Sequence, residues 1–306
     1  MQTASCWVAA GSSSRLRRTF EYWAARVALG SLSVCPSPEP LARCYVKLLD
    51  LAIPRLRRTA YRNLEIAFPE LSREARYRLA ESSFRSLARI LVSLARFPKL
   101  NQSNIHDYIR YDGFEHFQAA KARGKGVLFA TAHLGNWELS AFAHALMAEP
   151  MHVVVRPLDN ARVDEMVESM RGLSGNTIWS KRDFVRGILR ALANNEAVGI
   201  LIDQNVGLNE GIFIDFFHYK ACVSPAFAKL ANHSGAAIIP GFALWSPSER
   251  KFILKFYPPL LPTGNIEADT RAIHAQLEQV IRTYPDQWLW LHRRWKTRPP
   301  GEPPLY

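Results

Sequence analysis

The chain contains few cysteines, and they form no recognisable pair. Four occur among 306 residues, Cys6, Cys35, Cys44 and Cys222, without a C-x-x-C motif or a histidine at metal-ligand spacing. This pattern argues against a disulfide framework and indicates reduced thiols facing a cytosolic environment. The histidines are scattered as well, so the sequence predicts neither a metal site nor a bound cofactor.

Long apolar runs are also missing. The charge-free run 27–38 has 12 residues, whereas a membrane-spanning helix needs about 20. The longer run 230–248 is interrupted by Asn232, His233, two glycines and two prolines. Residues 1–14 lack the early positive charge and the apolar core of an ordinary signal peptide. The sequence therefore predicts no clear membrane span.

Acidic residues are too few to balance the basic ones. The chain has 27 acidic and 39 basic residues, a formal net charge of +12. This excess predicts an acidic partner: nucleic acid, anionic lipid head groups, or an acidic or phosphorylated carrier. Nucleic acid is not favoured, because the sequence has no zinc-ligand pairs, RNP-like run or P-loop. With 48% hydrophobic residues, the chain can bury one large α/β core or two smaller ones.

The stretch 126–139, GVLFATAHLGNWEL, is the most informative part of the sequence. Residues 127–131 form a short apolar run without charge, which is typical of a buried parallel strand. A turn at 133–135 follows, and Asn136 is a good N-cap for a helix. His133 is therefore expected at the carboxyl end of a buried strand, where ligands bind in open α/β sheets.

The spacing of His133 and Glu138 allows two interpretations. In one, Glu138 folds back across the turn and polarises His133 as a general base, beside helix N–H groups that face an oxyanion. In the other, His133 is an ordinary residue at a strand end and Glu138 only caps the helix. The same spacing recurs at His144 and Glu149 within a predicted helix, where five residues rotate the side chains about 140° apart. We therefore expect these two to be ordinary surface residues.

Strands and helices alternate through the middle of the chain, which predicts a mostly parallel sheet. The predicted strands are 151–155, 197–202, 236–245 and 252–257, and the predicted helices include 162–173, 183–193 and 267–283. Arg156 and Asp203 each follow a predicted strand, as His133 does. The three should share one rim of the sheet, where Arg156 and Asp203 form either a structural ion pair or part of a catalytic group.

Two amphipathic helices are predicted near the amino terminus, at 20–32 and 41–53, with arginine clusters on both sides. They suit a helical hairpin lying on an anionic membrane. The alternative is an amphipathic pair packed on the protein core. The predicted organisation is a basic tail and hairpin at 1–60 and an α/β domain at 61–306.

Several motifs in sequence order resemble the lipid A biosynthesis acyltransferases, the late lauroyl and myristoyl transferases of the H-x4-D/E glycerolipid acyltransferase group. They are AHLGNWE (132–138), RPLDN (156–160), ILIDQN (200–205), GIFIDFF (211–217), WLWLHRRWKTRP (288–299) and, upstream, YRNLEIAFPELS (61–72). The chain departs from the family at the prolines that break the amino-terminal helix, and at His218, where glycine is expected.

The resemblance implies a single mostly parallel sheet flanked by helices, and an enzyme that moves a fatty acyl group from a thioester to a lipid hydroxyl. The donor would be acyl carrier protein or acyl-coenzyme A, and the acceptor a lipid A precursor at the cytoplasmic face of an inner membrane. Another glycolipid or phospholipid acceptor is the alternative. The implied catalytic residues are His133, Glu138, Arg156 and Asp203. The implied substrate-binding residues are Gly135, Asn136, Phe213, Phe216, Phe217, Arg293, Arg294 and Lys296.

Overall fold

A computed structural model describes residues 15–179 and 184–306. Its helices are α1 (Arg15–Val34), α2 (Pro38–Ala52), α3 (Pro54–Ala67), α4 (Arg73–Arg96), α5 (Phe114–Ala122), α6 (Trp137–Met147), α7 (Ala161–Gly172), α8 (Phe184–Ala193), α9 (Ala226–Ser234) and α10 (Ile266–Thr283). Its strands are β1 (Ile109–Asp112), β2 (Val127–Thr131), β3 (His152–Val154), β4 (Thr177–Trp179), β5 (Ala197–Leu201), β6 (Ile212–Phe216), β7 (Tyr219–Val223), β8 (Ala237–Ser246) and β9 (Lys251–Phe256). Three expectations lie outside the described residues: a reduced Cys6, the lack of an ordinary signal peptide at 1–14, and a helix start at Asp183.

Seven strands form the central sheet, in the order β1-β9-β8-β2-β5-β3-β4. The five strands from β8 to β4 are mutually parallel, whereas β9 runs antiparallel to β8 and pairs in parallel with β1. This arrangement confirms the predicted mostly parallel sheet. β6 and β7 form a separate antiparallel hairpin. The predictions did not include α3, β1, β4, β6 and β7, and of these β1 and β4 have only four and three residues.

The strand β2 lies at the centre of the core because both of its faces are apolar. Val127 and Phe129 face α5 and α6, whereas Leu128 and Ala130 face α8 and α9. Side chains alternate between the two faces of a strand, so a strand covered by helices on both sides needs an uninterrupted apolar run. Asn136 caps α6 as predicted, accepting a hydrogen bond from the backbone N–H of Leu139 at 3.0 Å.

The predicted amino-terminal helices are present as α1 and α2, and both pack against α4. Leu32, Ala42 and Val46 lie in one buried cluster with Phe84 and Ala88 of α4. No helix in residues 15–179 or 184–306 combines the length and the hydropathy that a membrane crossing requires.

Asp50 is a buried acidic residue of α2, with 4% of its side chain exposed. Arg57 donates to both of its carboxylate oxygens, at 3.1 Å from Nε to Oδ1 and 3.0 Å from Nε to Oδ2. This ion pair joins α2 to α3.

Candidate active site

Two adjacent strands bring His133 and Asp203 together. β2 and β5 are paired so that Thr131 lies opposite Leu201, and each of the two functional residues follows its strand by two positions. The His133 Nδ1 atom is 2.8 Å from Oδ1 of Asp203, and the His133 backbone N–H donates to Oδ2 at 3.0 Å. The shared rim was predicted. The direct contact between His133 and Asp203 was not.

The carboxylate of Asp203 controls the protonation of His133. Burial alone lowers the pKa of His133, but the charge of Asp203 and its hydrogen bond outweigh burial, so the pKa is raised above the ordinary 6.5. Burial likewise acts to raise the pKa of Asp203, yet His133 and Trp288 hold that pKa well below its usual range. Asp203 is therefore ionised, and Nδ1 of His133 carries the proton that it donates to Asp203.

Glu138 is not the partner of His133, which corrects the first interpretation of their spacing. Its carboxylate forms a two-point ion pair with Arg171 at the end of α7, with Nε to Oε2 at 2.8 Å and Nη2 to Oε1 at 2.6 Å. Both side chains are largely buried, with 10% of Glu138 and 16% of Arg171 exposed. The charge of Glu138 still acts on the imidazole and helps to raise the pKa of His133.

Arg156 lies on the same rim but does not pair with Asp203. It follows β3, which pairs directly with β5, the strand that precedes Asp203. Among the residues that the structure describes, however, the only ion pair of Asp203 is with His133. The side chain is exposed, whereas Asp203 is buried against His133 and Trp288. The expected ion pair between Arg156 and Asp203 is therefore wrong. Arg156 remains a candidate for binding substrate.

The turn after His133 is held by backbone hydrogen bonds, and this removes one expected oxyanion site. Gly135 has a φ of +67°, and a Cβ there would lie 2.0 Å from the carbonyl oxygen of Ala243. The N–H groups of Gly135 and Asn136 donate to the carbonyls of Gln287 and Ala243, at 3.0 and 2.8 Å. They are occupied within the protein and do not face a substrate.

The carboxyl-terminal stretch 288–299 is an irregular segment that holds the Asp203 loop in place. Trp288 donates from Nε1 to Oδ2 of Asp203 at 2.8 Å. His292 accepts at Nε2 from the N–H of Asn205 at 3.1 Å. Asn205 also exchanges two hydrogen bonds with Thr297, at 2.9 and 3.0 Å. The ILIDQN and WLWLHRRWKTRP motifs are therefore two parts of one structure.

Arg294 belongs to this structure and not to the surface. It is completely buried, and its Nη1 donates to the carbonyls of Gln204 and Cys222, each at 3.2 Å. Burial lowers the pKa of Arg294 to about 10. The predicted contact of Arg294 with a substrate phosphate is therefore wrong. Arg293 and Lys296 are exposed, and their contact with substrate stays a prediction.

The aromatic residues expected to line an acyl slot are mostly core residues. Phe216 and Phe217 are buried in a cluster with Trp288, Trp290 and Trp295. Only Phe213 is partly exposed. The expected slot is wrong for Phe216 and Phe217, because packing against the tryptophans accounts for their position.

A different apolar pocket lies beside the histidine. Its wall is formed by side chains of β2, β3, β5, α6 and β9, among them Phe129, Trp137, Val153, Leu201 and Phe256. The Trp137 ring lies 4.9 Å from the imidazole of His133, centroid to centroid. The ion pair of Glu138 and Arg171 also lines the pocket. Trp137 therefore contacts both the imidazole and the apolar cavity.

Comparison with known proteins identifies the family. The sequence profile of the bacterial lipid A biosynthesis acyltransferases matches residues 11–297. The chain belongs to this family. It is 30% identical over 293 residues to the lipid A biosynthesis lauroyltransferase of Escherichia coli K12, covering 93% of this chain and 95% of that protein. It is 29% identical to the palmitoleoyltransferase of the same strain, with the same coverage, and 22% identical to its myristoyltransferase, over 80% of this chain and 77% of that protein.

Membership of the family does not by itself reveal three residues of this site. Arg171, Trp288 and His292 were not predicted to contact the other site residues. Trp288 and His292 lie in a motif that was recognised, but their partners are more than 80 positions away in the sequence. Arg171 lies on an ordinary amphipathic helix, and nothing in the sequence pattern distinguishes it. Among residues 15–179 and 184–306, no group of three histidine, cysteine or acidic side chains could hold a metal ion.

Proposed function

We propose that this protein is a membrane-associated O-acyltransferase, which moves a fatty acyl chain from a thioester to a hydroxyl of a lipid A precursor. The observation that carries the proposal is the contact between His133 and the buried Asp203, beside an apolar pocket. The relatives named above, which are lauroyl, palmitoleoyl and myristoyl transferases of lipid A biosynthesis, support the choice of substrates.

His133 acts as the general base. Because Nδ1 is held by Asp203, Nε2 presents its lone pair and takes the proton of the acceptor hydroxyl. The hydroxyl oxygen attacks the thioester carbonyl, and the carbon–sulfur bond breaks as the tetrahedral intermediate collapses. The imidazolium returns its proton to the leaving thiolate. The products are an ester and a free thiol, and no serine or cysteine nucleophile takes part.

The acyl chain of the donor occupies the apolar pocket beside Trp137. Burying a chain there is favourable by about 0.8 kcal/mol for each methylene group, and it places the thioester next to His133. The carrier of the chain is acyl carrier protein or coenzyme A, both of which are acidic. The net charge of +12 favours their approach.

The acceptor approaches the same rim from solvent. Arg156, Arg293 and Lys296 are exposed and supply positive charge for the phosphates of a lipid A precursor. Arg156 can instead stabilise the oxyanion of the intermediate, because the N–H groups of Gly135 and Asn136 are occupied.

The exposed surface of α1 supports the proposed association with the cytoplasmic face of an inner membrane. Leu16, Phe20, Trp23, Val27 and Val34 are all exposed. Their spacing places them along one face of the helix, and Arg15 and Arg26 are exposed on the same helix. An apolar stripe with neighbouring arginines is typical of a helix that lies in a membrane interface.

The decisive experiment incubates the purified protein with acyl thioesters and a lipid A precursor and measures acyl transfer. His133→Ala should lower the rate by about 10² to 10⁴, the usual loss of a general base. His106→Ala, at an exposed residue that does not line the pocket, is the matched control and should leave the rate unchanged. Transfer to another glycolipid or to a phospholipid, but not to the lipid A precursor, would replace the proposed acceptor. Near-normal turnover of folded His133→Ala would refute the mechanism.

A further inference from the structure

His144 is a buried polar residue in the wall of the apolar pocket, although its spacing predicted a surface position. Its side chain is 1% exposed. The imidazole lies among the rings of Phe117, Phe129 and Phe256, at centroid distances of 4.7, 5.2 and 5.8 Å. His144 lines the same pocket as Trp137 and Glu138. The surface prediction for His144 is therefore wrong.

One ring nitrogen of His144 has no hydrogen-bond partner. Nδ1 lies 2.7 Å from the hydroxyl of Tyr111, whereas Nε2 is buried without a partner. Burial and the charge of Lys121 lower the pKa of His144 to about 3, so the ring is neutral. If Tyr111 donates to Nδ1, the Nε2–H lacks an acceptor. If Nδ1–H donates to Tyr111, the Nε2 lone pair lacks a donor.

A buried ring nitrogen without a hydrogen-bond partner, such as Nε2 of His144, is unusual in a protein interior. Most buried polar atoms in proteins have a partner, and an exception requires an explanation. Of the residues that the structure describes, only Thr131 and His144 both line this pocket and carry a buried side-chain atom without a partner. Thr131 ends β2, close to His133. His144 is six residues beyond Glu138 on α6, which is about 9 Å along the helix axis.

We propose that the pocket selects an acyl chain that carries a hydroxyl group several carbons away from the thioester, and that His144 recognises this hydroxyl through Nε2. A hydroxyl can both donate and accept, so it satisfies either tautomer of the ring. A plain methylene chain leaves Nε2 buried and unpaired, and such a group costs binding free energy. The inference rests on the proposed function, because it concerns the donor of that reaction.

The test compares plain and ω-hydroxylated acyl thioesters of equal length, from octanoyl to dodecanoyl. For at least one length, the hydroxyl should raise kcat/KM by roughly 5- to 100-fold, the range expected for satisfying one buried polar group. A β-hydroxyacyl donor should gain no such advantage, because its hydroxyl lies too close to the thioester.

The variant His144→Phe keeps a ring and removes the polar atoms. It should abolish the preference for the ω-hydroxylated donor, so that plain and ω-hydroxylated donors of equal length give the same kcat/KM. His144→Gln retains an amide and should keep part of the preference. Met151→Leu changes an apolar side chain of the same pocket and should alter kcat/KM for both donors by the same factor.

The outcomes separate this inference from the proposed function. If no acyl thioester is a substrate, the proposed function fails, and binding of ω-hydroxy and plain free fatty acids still tests His144. If plain chains are transferred and the hydroxyl gives no advantage in turnover or binding at any length, only the assignment of His144 fails. The assignment of His144 is supported if His144→Phe loses the preference for the ω-hydroxylated donor and Met151→Leu keeps it.

Discussion

His133 contacts the Asp203 carboxylate twice, through its ring and through its backbone N–H. Nδ1 lies 2.8 Å from Oδ1, and the N–H donates to Oδ2 at 3.0 Å. The contact follows from the register of β2 and β5, which places the two residues opposite each other at the carboxyl edge. A carboxylate that binds both atoms fixes the ring orientation as well as its tautomer.

The variant Asp203→Asn tests how the charge of Asp203 affects the pKa of His133 and the rate. The amide keeps only one accepting oxygen, so it cannot accept from both sides as the carboxylate does. It also carries no charge, so the pKa of His133 should fall as burial becomes the main influence on it. In the wild type the general base is neutral only above a raised pKa, so kcat/KM should increase with pH through a value above 6.5. In Asp203→Asn this limb should move to lower pH, and the plateau should drop by about 10² to 10⁴. An unshifted limb with an unchanged plateau would contradict the assigned role of Asp203.

Glu138 and Arg171 offer a test by double-mutant cycle. Because both side chains are largely buried, Arg171→Met leaves the Glu138 charge unpaired and should lower the free energy of unfolding by about 3 to 5 kcal/mol. The double variant Arg171→Met and Glu138→Leu should recover most of that loss. Denaturant unfolding measures the stability.

The rate of the double variant decides what else Glu138 does. A stable but slow double variant would show that its charge beside His133 matters for catalysis. A stable and active one would restrict the pair to a structural role.

The sequence predicted the elements of this fold better than their contacts. The strand β2 was predicted with its exact ends, because five apolar residues between a glycine and a turn leave little choice. The partner of Glu138 was not predicted, because the pair depends on where the end of α7 lies relative to the start of α6 in the folded protein. His144 was misassigned for a similar reason. Periodicity places a residue on a helix face, but it does not say which neighbours cover that face.

Arg156 can be tested by exchange for lysine. Its exposed guanidinium lies on the rim next to the strand of Asp203. If it binds two oxygens of a phosphate or the oxyanion, Arg156→Lys should be costly, because lysine lacks the planar fork. We expect roughly a tenfold loss of kcat/KM or more, with thermal stability unchanged because the side chain is exposed. A variant with normal kinetics would remove Arg156 from the substrate site.

Substitutions of the neighbours Arg293 and Arg294 should have different effects on kinetics and stability. Arg293→Ala removes an exposed cation and should raise KM for the acceptor lipid much more than KM for the acyl donor. Arg294→Met takes a buried donor from the carbonyls of Gln204 and Cys222 and should lower stability by about 1 to 3 kcal/mol. It should reduce kcat without a selective effect on either KM, because the loop that carries Asp203 loses support. A selective effect of Arg293→Ala on the donor would assign that residue to the carrier instead.

The exposed stripe on α1 predicts how the protein binds membranes. Each large apolar side chain that moves from water into the interface contributes about 1.5 to 3 kcal/mol. The double variant Phe20→Ser and Trp23→Ser should therefore weaken binding to anionic vesicles by at least tenfold, measured by co-sedimentation. Leu261→Ser removes an exposed apolar side chain elsewhere and should have little effect. High salt should release the wild type only in part, since it screens the arginines but not the apolar contacts. If the double variant binds vesicles as the wild type does, α1 is not the membrane-binding surface.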